Sequence, residues 1–552
     1  KVDRAQLLSQ LRRDSSKRAL TPVHQLAAPL QNEEITRQQE ALAATITEVL
    51  GHGSINLQSS FFACGGDSVT ALRCAAVARQ RGLNISALSL LSAKTLAQAA
   101  EVQEDSPASN KRPRLELTES VSAADDPLKL SAEELHEEIS VQLGLPKRAV
   151  EFSWPCTAFQ DLLLNALEAS EAHASDLRGQ SPGTLQSCAL LSPSVSLRGL
   201  QNAWRLVQQR CAALRSRFVR VRNQHIQVAL HSSWSKEEAH VIQRQSGDSL
   251  KRQLRALMKE DLQLPFSTRG PLCRLRLLQG KAGNSSWLAL LLSIHNSICD
   301  GWSANLLLQD LMLLSVGLPA PEKRLGHIPA NQQVAHHSSW WRRTLENFRP
   351  RAFQRGHLHS VDHRRLSVHW ETLRQRAVAW QMTPAALILT AWSLVWSRAT
   401  GNKDFLLGAV LSGREAVPSD LLGCTASLLP FRVRLADSWQ SLQSFALEVQ
   451  RCLLAHSSMW PCPSLTEIRK WCGLPHGPIF ECAWIFDHTP PLPEELCHQT
   501  GFDLVCEHEV PAAGAEAETP ELRVVRRGNT ITTTLRGVLP HGEEGEAQIL
   551  LE

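Results

Sequence analysis

Tyrosine is absent from the 552 residues, although tryptophan occurs 15 times and phenylalanine 14. Trp or Phe therefore stands wherever a large aromatic is needed, and composition alone offers no physical reason for the bias. The fourteen cysteines include no Cys-x-x-Cys pair, and thiols scattered through a long chain fit reduced cysteines better than a disulfide framework. Cys497-His498 with Cys506 and His508 lacks the short ligand pairs of structural zinc, so no metal site is expected. Apolar runs such as Leu288 to Leu292 fall far short of a membrane span, and the first residues form no signal peptide. The expectation is a cytoplasmic chain with no membrane partner. Charge of one sign is lacking as well: 58 basic and 54 acidic side chains leave +4, too weak a field to imply nucleic acid.

What the chain does have is length and apolar content. It exceeds the size of one core, and 43% apolar residues can fill several folding units. The most informative stretch is Phe61-Phe62-Ala63-Cys64-Gly65-Gly66-Asp67-Ser68, followed by Val69-Thr70-Ala71-Leu72-Arg73. The Gly pair permits backbone conformations closed to other residues, and apolar periodicity begins only after Ser68. The stretch thus reads as a loop that delivers one hydroxyl to a helix start. Two readings follow: an ordinary N-cap, or an exposed Oγ beside backbone N–H groups and the positive end of the helix dipole, suited to a phosphate diester.

With Phe-Phe before Gly-Gly-Asp-Ser, an upstream helix from Glu33 to Leu50, and a late segment Leu90 to Leu96 that opens the last helix, this region resembles the peptidyl carrier domain of nonribosomal peptide synthetases. The resemblance implies a four-helix carrier domain over 32–102. Ser68 would carry covalent 4′-phosphopantetheine placed by a phosphopantetheinyl transferase, with Gly66 and Asp67 in the attachment loop. Other synthetase modules and carrier domains would be its partners. Upstream, Lys1-Val2-Asp3-Arg4-Ala5-Gln6-Leu7 resembles the last motif of an adenylation domain. Residues 1–20 are accordingly expected to be the tail of such a domain, with the chain beginning mid-protein. Residues 103–127 turn to Ser, Asp, Pro and Lys, and Lys111-Arg112-Pro113-Arg114 reads as part of a solvated linker in preference to a nuclear import signal.

Beyond the linker, Trp154-Pro155-Cys156-Thr157-Ala158-Phe159-Gln160 resembles the opening motif of fungal-type condensation domains, with Trp where those usually have Tyr. Leu214-Arg215-Ser216-Arg217-Phe218, expected to end a helix that starts near Leu197, resembles the family's Leu-Arg-Thr-x-Phe element. Strands are expected at Cys273 to Leu278 and Trp287 to Ile294. Thr383-Pro384 opens an apolar helix to about Ser397. Ser412-Gly413-Arg414 and Gly423-Cys424-Thr425 look like second-lobe motifs. Alternating strands and helices fit α/β lobes. The resemblance implies a multidomain chain in which the carrier is followed by an α/β condensation domain of two chloramphenicol-acetyltransferase-like lobes, 128–325 and 326–552, with a tunnel between them.

His295-Asn296-Ser297-Ile298-Cys299-Asp300-Gly301-Trp302-Ser303 resembles the family's His-His-x-x-x-Asp-Gly-x-Ser. The resemblance implies attack of an amine on an aminoacyl or peptidyl thioester, with the second histidine acting as a base or positioning the amine. Asn296 occupies that position. An amide can hold an amine but has no usable proton equilibrium near neutral pH, and loss of a positioned base costs roughly 10²- to 10⁴-fold. Positioning survives such a loss. His295 is expected to face away, buried and bonded to backbone, because neighbouring side chains on a strand point to opposite faces. Asp300 is expected to be structural with Arg414 as its partner, Gly301 to allow a tight turn, and Ser303 to cap a helix reaching about Leu314. Two functions stay open: amide or ester formation (or product release) between carrier-bound groups, and a degenerate platform that only docks carriers. A free-standing acyltransferase using coenzyme A would share the fold, but the attached carrier argues against it.

Overall fold

The computed structural model describes residues 32–101 and 130–539, except 52–54, 67, 84, 86, 173–180, 193–194, 236, 245–249, 283–284, 322–336, 351–358, 415–416, 418–419, 436–440, 458, 461, 476–478, 488, 490–491, 510–519 and 528–529. The adenylation-like tail, the linker and Asp67 lie outside the described residues.

Helices Asn32–Leu50, Ser68–Gln80, Ala87–Ser92 and Leu96–Glu101 form the carrier unit. They close over Leu42, Ile46, Phe61, Phe62, Ala71, Leu90 and Leu96, and Leu454 with the partly buried Val378 of the downstream domain completes the same apolar cluster. The two glycines of the loop have different reasons to be glycine. Gly65 takes φ 89°, a left-handed value that a side chain would strain. A Cβ on Gly66 would stand 2.1 Å from Phe61 Cε1, so the buried ring needs a bare backbone above it. The helix starts at Ser68 itself, so Ser68 is its first residue and not the residue before it.

The first lobe contains β1 Val150–Pro155, β2 Thr184–Leu191, β3 Ser216–Val221, β4 Gln224–Leu230, β5 His240–Arg244, β6 Cys273–Ala282 and β7 Ser285–His295. The second half contributes β8 His359–His369, β9 Asp404–Leu411, β10 Ser427–Arg434, β11 Cys482–Asp487, β12 Asp503–Glu509, β13 Glu521–Arg527 and β14 Thr530–Leu539. Three sheets result, ordered β1-β4-β3, β12-β2-β7-β6-β5 and β10-β9-β11-β13-β14-β8. Helices Leu197–Arg210 and Gly301–Ser315 cover the five-stranded sheet over a core of Trp204, Leu290, Leu292, Leu307 and Leu311. Helices Pro384–Thr400 and Leu442–Ser457 pack the second core around Trp341, Trp396, Phe405, Phe431 and Trp484.

Two expectations are corrected here. The division at 325/326 does not separate the lobes, because β12 leaves the second half and pairs antiparallel with β2 of the first. Helix Glu494–Thr500 crosses with it and places Leu496 in the first-lobe core. An uncovered edge of β2 would leave its N–H and C=O groups without partners, and a strand pattern in the sequence does not say which edge the strand will cover. Secondly, Ser216-Arg217-Phe218 does not end a helix. The helix stops at Arg210, a 3₁₀ turn spans Ala212–Arg215, and β3 then pairs with β4 from Ser216↔Ala229 to Val221↔Gln224. No single described helix is long and apolar enough to cross a membrane.

Candidate active site

β7 ends the central part of the five-stranded sheet and carries the chain into the 295–303 loop. Its exit is fixed by backbone: His295 pairs with Thr184, its N–H reaches Leu272 O at 2.9 Å, and the Asn296 N–H reaches Gly183 O at 2.7 Å. The buried Ile298 and Cys299 then anchor the turn. Asn296 is half-buried at the position of the second motif histidine.

His295 is fully buried. Its Nε2 lies 2.8 Å from Pro182 O, which can only accept, so Nε2 carries the proton. Nδ1 accepts the Ser297 N–H at 3.2 Å, with Ser297 Oγ at 2.8 Å. Burial pulls the pKa down to about 4, against the opposing pull of the Pro182 carbonyl. At neutral pH the ring is neutral and both nitrogens are engaged, leaving it no capacity as a base.

Gln160 holds this loop from the opening motif, a role sequence reading did not assign. Its Nε2 donates to Ser297 O at 2.7 Å and to Gln227 Oε1 at 2.8 Å, while Oε1 accepts the Thr157 N–H at 2.9 Å. Trp154 Nε1 donates to the same Gln227 oxygen at 3.2 Å. The available signal was a glutamine inside an apolar helix start, since a buried amide needs partners.

Asp300 performs two tasks. Its backbone is extended (φ −77°, ψ 176°) and its carboxylate accepts the Ser303 N–H at 2.8 Å, so Asp300 caps helix Gly301–Ser315. The expectation that Ser303 is the cap is corrected: Ser303 is already helical, and its hydroxyl turns across the lobes. It donates to Gly423 O at 2.8 Å and accepts from Arg414 Nη2 at 2.6 Å and from Gly423 N–H at 2.9 Å. Asp300 also accepts from Arg414 Nη2, from the Thr425 N–H at 3.1 Å and from the Thr425 hydroxyl at 2.8 Å. Arg414 in turn donates to Leu421 O at 2.7 Å and Gly423 O at 3.1 Å. The first-lobe loop is thereby locked to Arg414, Gly423 and Thr425 of the second lobe. Burial pushes the Asp300 carboxyl up, but the Arg414 charge and hydrogen bond, then Ser303 and Thr425, outweigh it and hold the pKa below its ordinary value.

Removing the carboxylate leaves Arg414 buried without its counter-charge, so Asp300→Ala is expected to destabilise the domain by roughly 3–5 kcal/mol, read as a lower Tm. The folded-state pKa lies below the unfolded one, so the stabilisation is complete above the ordinary Asp value and disappears as pH falls through the folded value. Thermal melts across acidic pH check both points. An unshifted Tm in Asp300→Ala would show that the pair holds nothing together.

Gly301 faces the second lobe, where a Cβ would lie 3.4 Å from Thr489 Oγ1 and 3.9 Å from Asp487 Oδ2. Thiols near the loop offer no nucleophile, because burial raises Cys156, Cys299 and Cys424. In the carrier unit, Gly66 is buried against the Phe61 ring and Ser68 opens its helix. The first N–H groups of a helix lack intrahelical partners, which suits a phosphodiester there and fits a pantetheine arm on Ser68.

The two lobes thus meet at a buried Asp–Arg pair beside the loop at the end of β7. The family model described as the condensation domain matches residues 178–471, and the phosphopantetheine attachment site matches residues 40–102. The chain belongs to the condensation-domain family and carries an upstream phosphopantetheine-attachment domain, as nonribosomal peptide synthetases do. It is 26% identical over 438 residues to FR901469 synthetase of Dothideomycetidae sp., covering 77% of this chain and 3% of that protein. It is 28% identical over 433 residues to nonribosomal peptide synthetase otaB of Aspergillus carbonarius, covering 75% of this chain and 21% of that one. The chain thus spans a small part of these relatives. Among solved structures, the condensation domain of the Monacolin K polyketide synthase MokA superposes with TM-score 0.54 at 15% identity, covering 73% of this chain and 96% of that one. The holo T3CT structure gives 0.57 at 17% identity, covering 77% and 96%. These two likenesses concern the fold.

Proposed function

We propose that the condensation domain joins carrier-bound acyl groups by amide or ester formation, or releases the product, within a nonribosomal peptide synthetase. The observation that carries this reading is the intact lock around the 295–303 loop: Asp300, Ser303, Arg414 and Thr425 bonded across two lobes, with a carrier unit upstream. In this reading a phosphopantetheinyl transferase modifies Ser68, and the arm supplies a reactive thioester. The protein's side chains orient the loop and exclude water. Residues 1–20 would be the end of an adenylation domain, and other synthetase modules would be partners, in the cytoplasm.

The platform reading draws on one observation, the absence of a titratable group at Asn296. The two are separated by loading the carrier with an acyl thioester, offering an aminoacyl carrier, and following the amide by mass spectrometry. Product above the rate without the condensation domain supports catalysis. A rate equal to that background, beside an active two-histidine domain, supports the platform.

A further inference from the structure

We propose that Asp487, which faces Gly301 across the lobes, is the proton-accepting group for the incoming amine and takes over the role of the missing histidine. This inference rests on the condensation reading. The motif's own groups cannot fill that role: Asn296 is an amide, both His295 nitrogens are bonded, and the Asp300 carboxylate takes hydrogen bonds from Arg414, Ser303 and Thr425. The pairing also neutralises the Arg414 charge, so it does not repel an arriving ammonium.

Asp487 differs from these groups. It ends β11, which runs parallel between β9 and β13 in the interior of the six-stranded sheet, a rigid mount for a side chain. Its Oδ1 accepts the Thr489 N–H at 3.1 Å and the Thr489 hydroxyl at 2.6 Å, which fixes the carboxylate plane. Its Oδ2 is turned toward Gly301, 3.9 Å from where a Cβ would stand, and forms a long ion pair with Arg523 Nη2 at 3.9 Å, beyond hydrogen-bond distance. The side chain is 26% exposed. One oriented carboxylate oxygen, in a long ion pair and not a hydrogen bond with Arg523, therefore faces the first residue of the helix that follows the Asn296 loop. Any side chain at position 301 would be set against Thr489 and Asp487, so glycine there keeps that space available.

The step balances without a further reagent. The amine nitrogen attacks the thioester carbonyl carbon and forms the C–N bond, and its surplus proton passes to Asp487 Oδ2. The C–S bond breaks as the carbonyl re-forms, and the proton moves on to the departing sulfur. An amide and a thiol result, and Asp487 is again a carboxylate.

The alternative role is a turn at the strand end, in which Asp487 only binds Thr489. Asp487→Asn separates the two, because an amide oxygen still accepts from Thr489 but takes no proton. With Ser68 loaded and an aminoacyl carrier supplied, Asp487→Asn is expected to lower kcat by roughly 10²-fold at an unchanged Tm and acceptor KM. In an Asn296→His background, where the imidazole supplies the base, the same change is expected to cost less than about ten-fold, a non-additivity that structural damage does not produce. A full rate for Asp487→Asn, or an equal loss in both backgrounds, overturns the inference while product formation leaves the condensation reading standing. No product from either the original chain or Asn296→His overturns that reading, and the assignment of Asp487 with it.

Discussion

Ser68→Ala abolishes attachment of the pantetheine arm: with coenzyme A and a phosphopantetheinyl transferase, the original chain gains the mass of one arm and the variant gains none. The expectation is all-or-none because the reaction transfers a phosphoryl group to one hydroxyl, and alanine has no oxygen to receive it. The structure shows how the loop brings the chain to Ser68 at the helix start. Phe61 is buried beneath the loop and tolerates only glycine at 66, Gly65 turns the chain through φ 89°, and the helix begins at Ser68. The neighbouring Ser59 and Ser60 precede that turn and lie before the buried Phe pair. Intact-protein mass spectrometry decides the matter. An unmodified original chain beside a modified control carrier, or an arm still added to Ser68→Ala, would remove the assignment.

Asn296→His raises amide formation from loaded carriers by roughly 10²- to 10⁴-fold in a chain whose Asp487 is replaced by Asn, the contribution of a positioned general base, and by less where Asp487 is present. The gain depends on the rest of the loop being in place, and it is. The backbone on either side is tied to Leu272 and Gly183, Gln160 holds Ser297 O, and the Asp300–Arg414 lock sets the following helix. A side-chain exchange at a half-buried strand end leaves those bonds untouched, so the new imidazole inherits a built site. The original chain lies between the chain lacking both groups and Asn296→His. Single-turnover rates for these proteins test this. If the original chain already matches a related domain with both histidines, and Asn296→Ala leaves its rate unchanged, position 296 takes no part in the chemistry.

Much of this protein follows from local pattern. The carrier's first helix, expected from Glu33 to Leu50, spans Asn32–Leu50. The helix after Thr383-Pro384 begins where that pair demands, with Thr383 Oγ1 accepting from the Ala386 N–H at 3.2 Å. The strands feeding the site loop lie where apolar alternation puts them, at Cys273–Ala282 and Ser285–His295. Periodicity, caps and the order of short motifs are properties of a few neighbouring residues, so they can be read along one dimension. The exchange of histidine for Asn296 is visible in the same way, and its chemical consequence needs only the difference between an amide and an imidazole.

What the sequence could not determine are the arrangements whose energy lies between residues far apart in the chain. Gln160 meets Ser297 across 137 positions, and Arg414 meets Asp300 across 114. The sequence names Asp300 and Arg414 as candidates, but only the fold makes Asp300 the cap and sends the Ser303 hydroxyl to Gly423, because a buried carboxylate and guanidinium are stable only where several donors and acceptors converge. The crossing of β12 into the first-lobe sheet and the facing of Asp487 toward Gly301 were decided the same way, by an open strand edge in one case and by the meeting of two lobes in the other. The sequence determined the carrier loop, the local elements and the defect at Asn296; tertiary packing decided which polar groups are engaged and which carboxylate faces Gly301 beside the site.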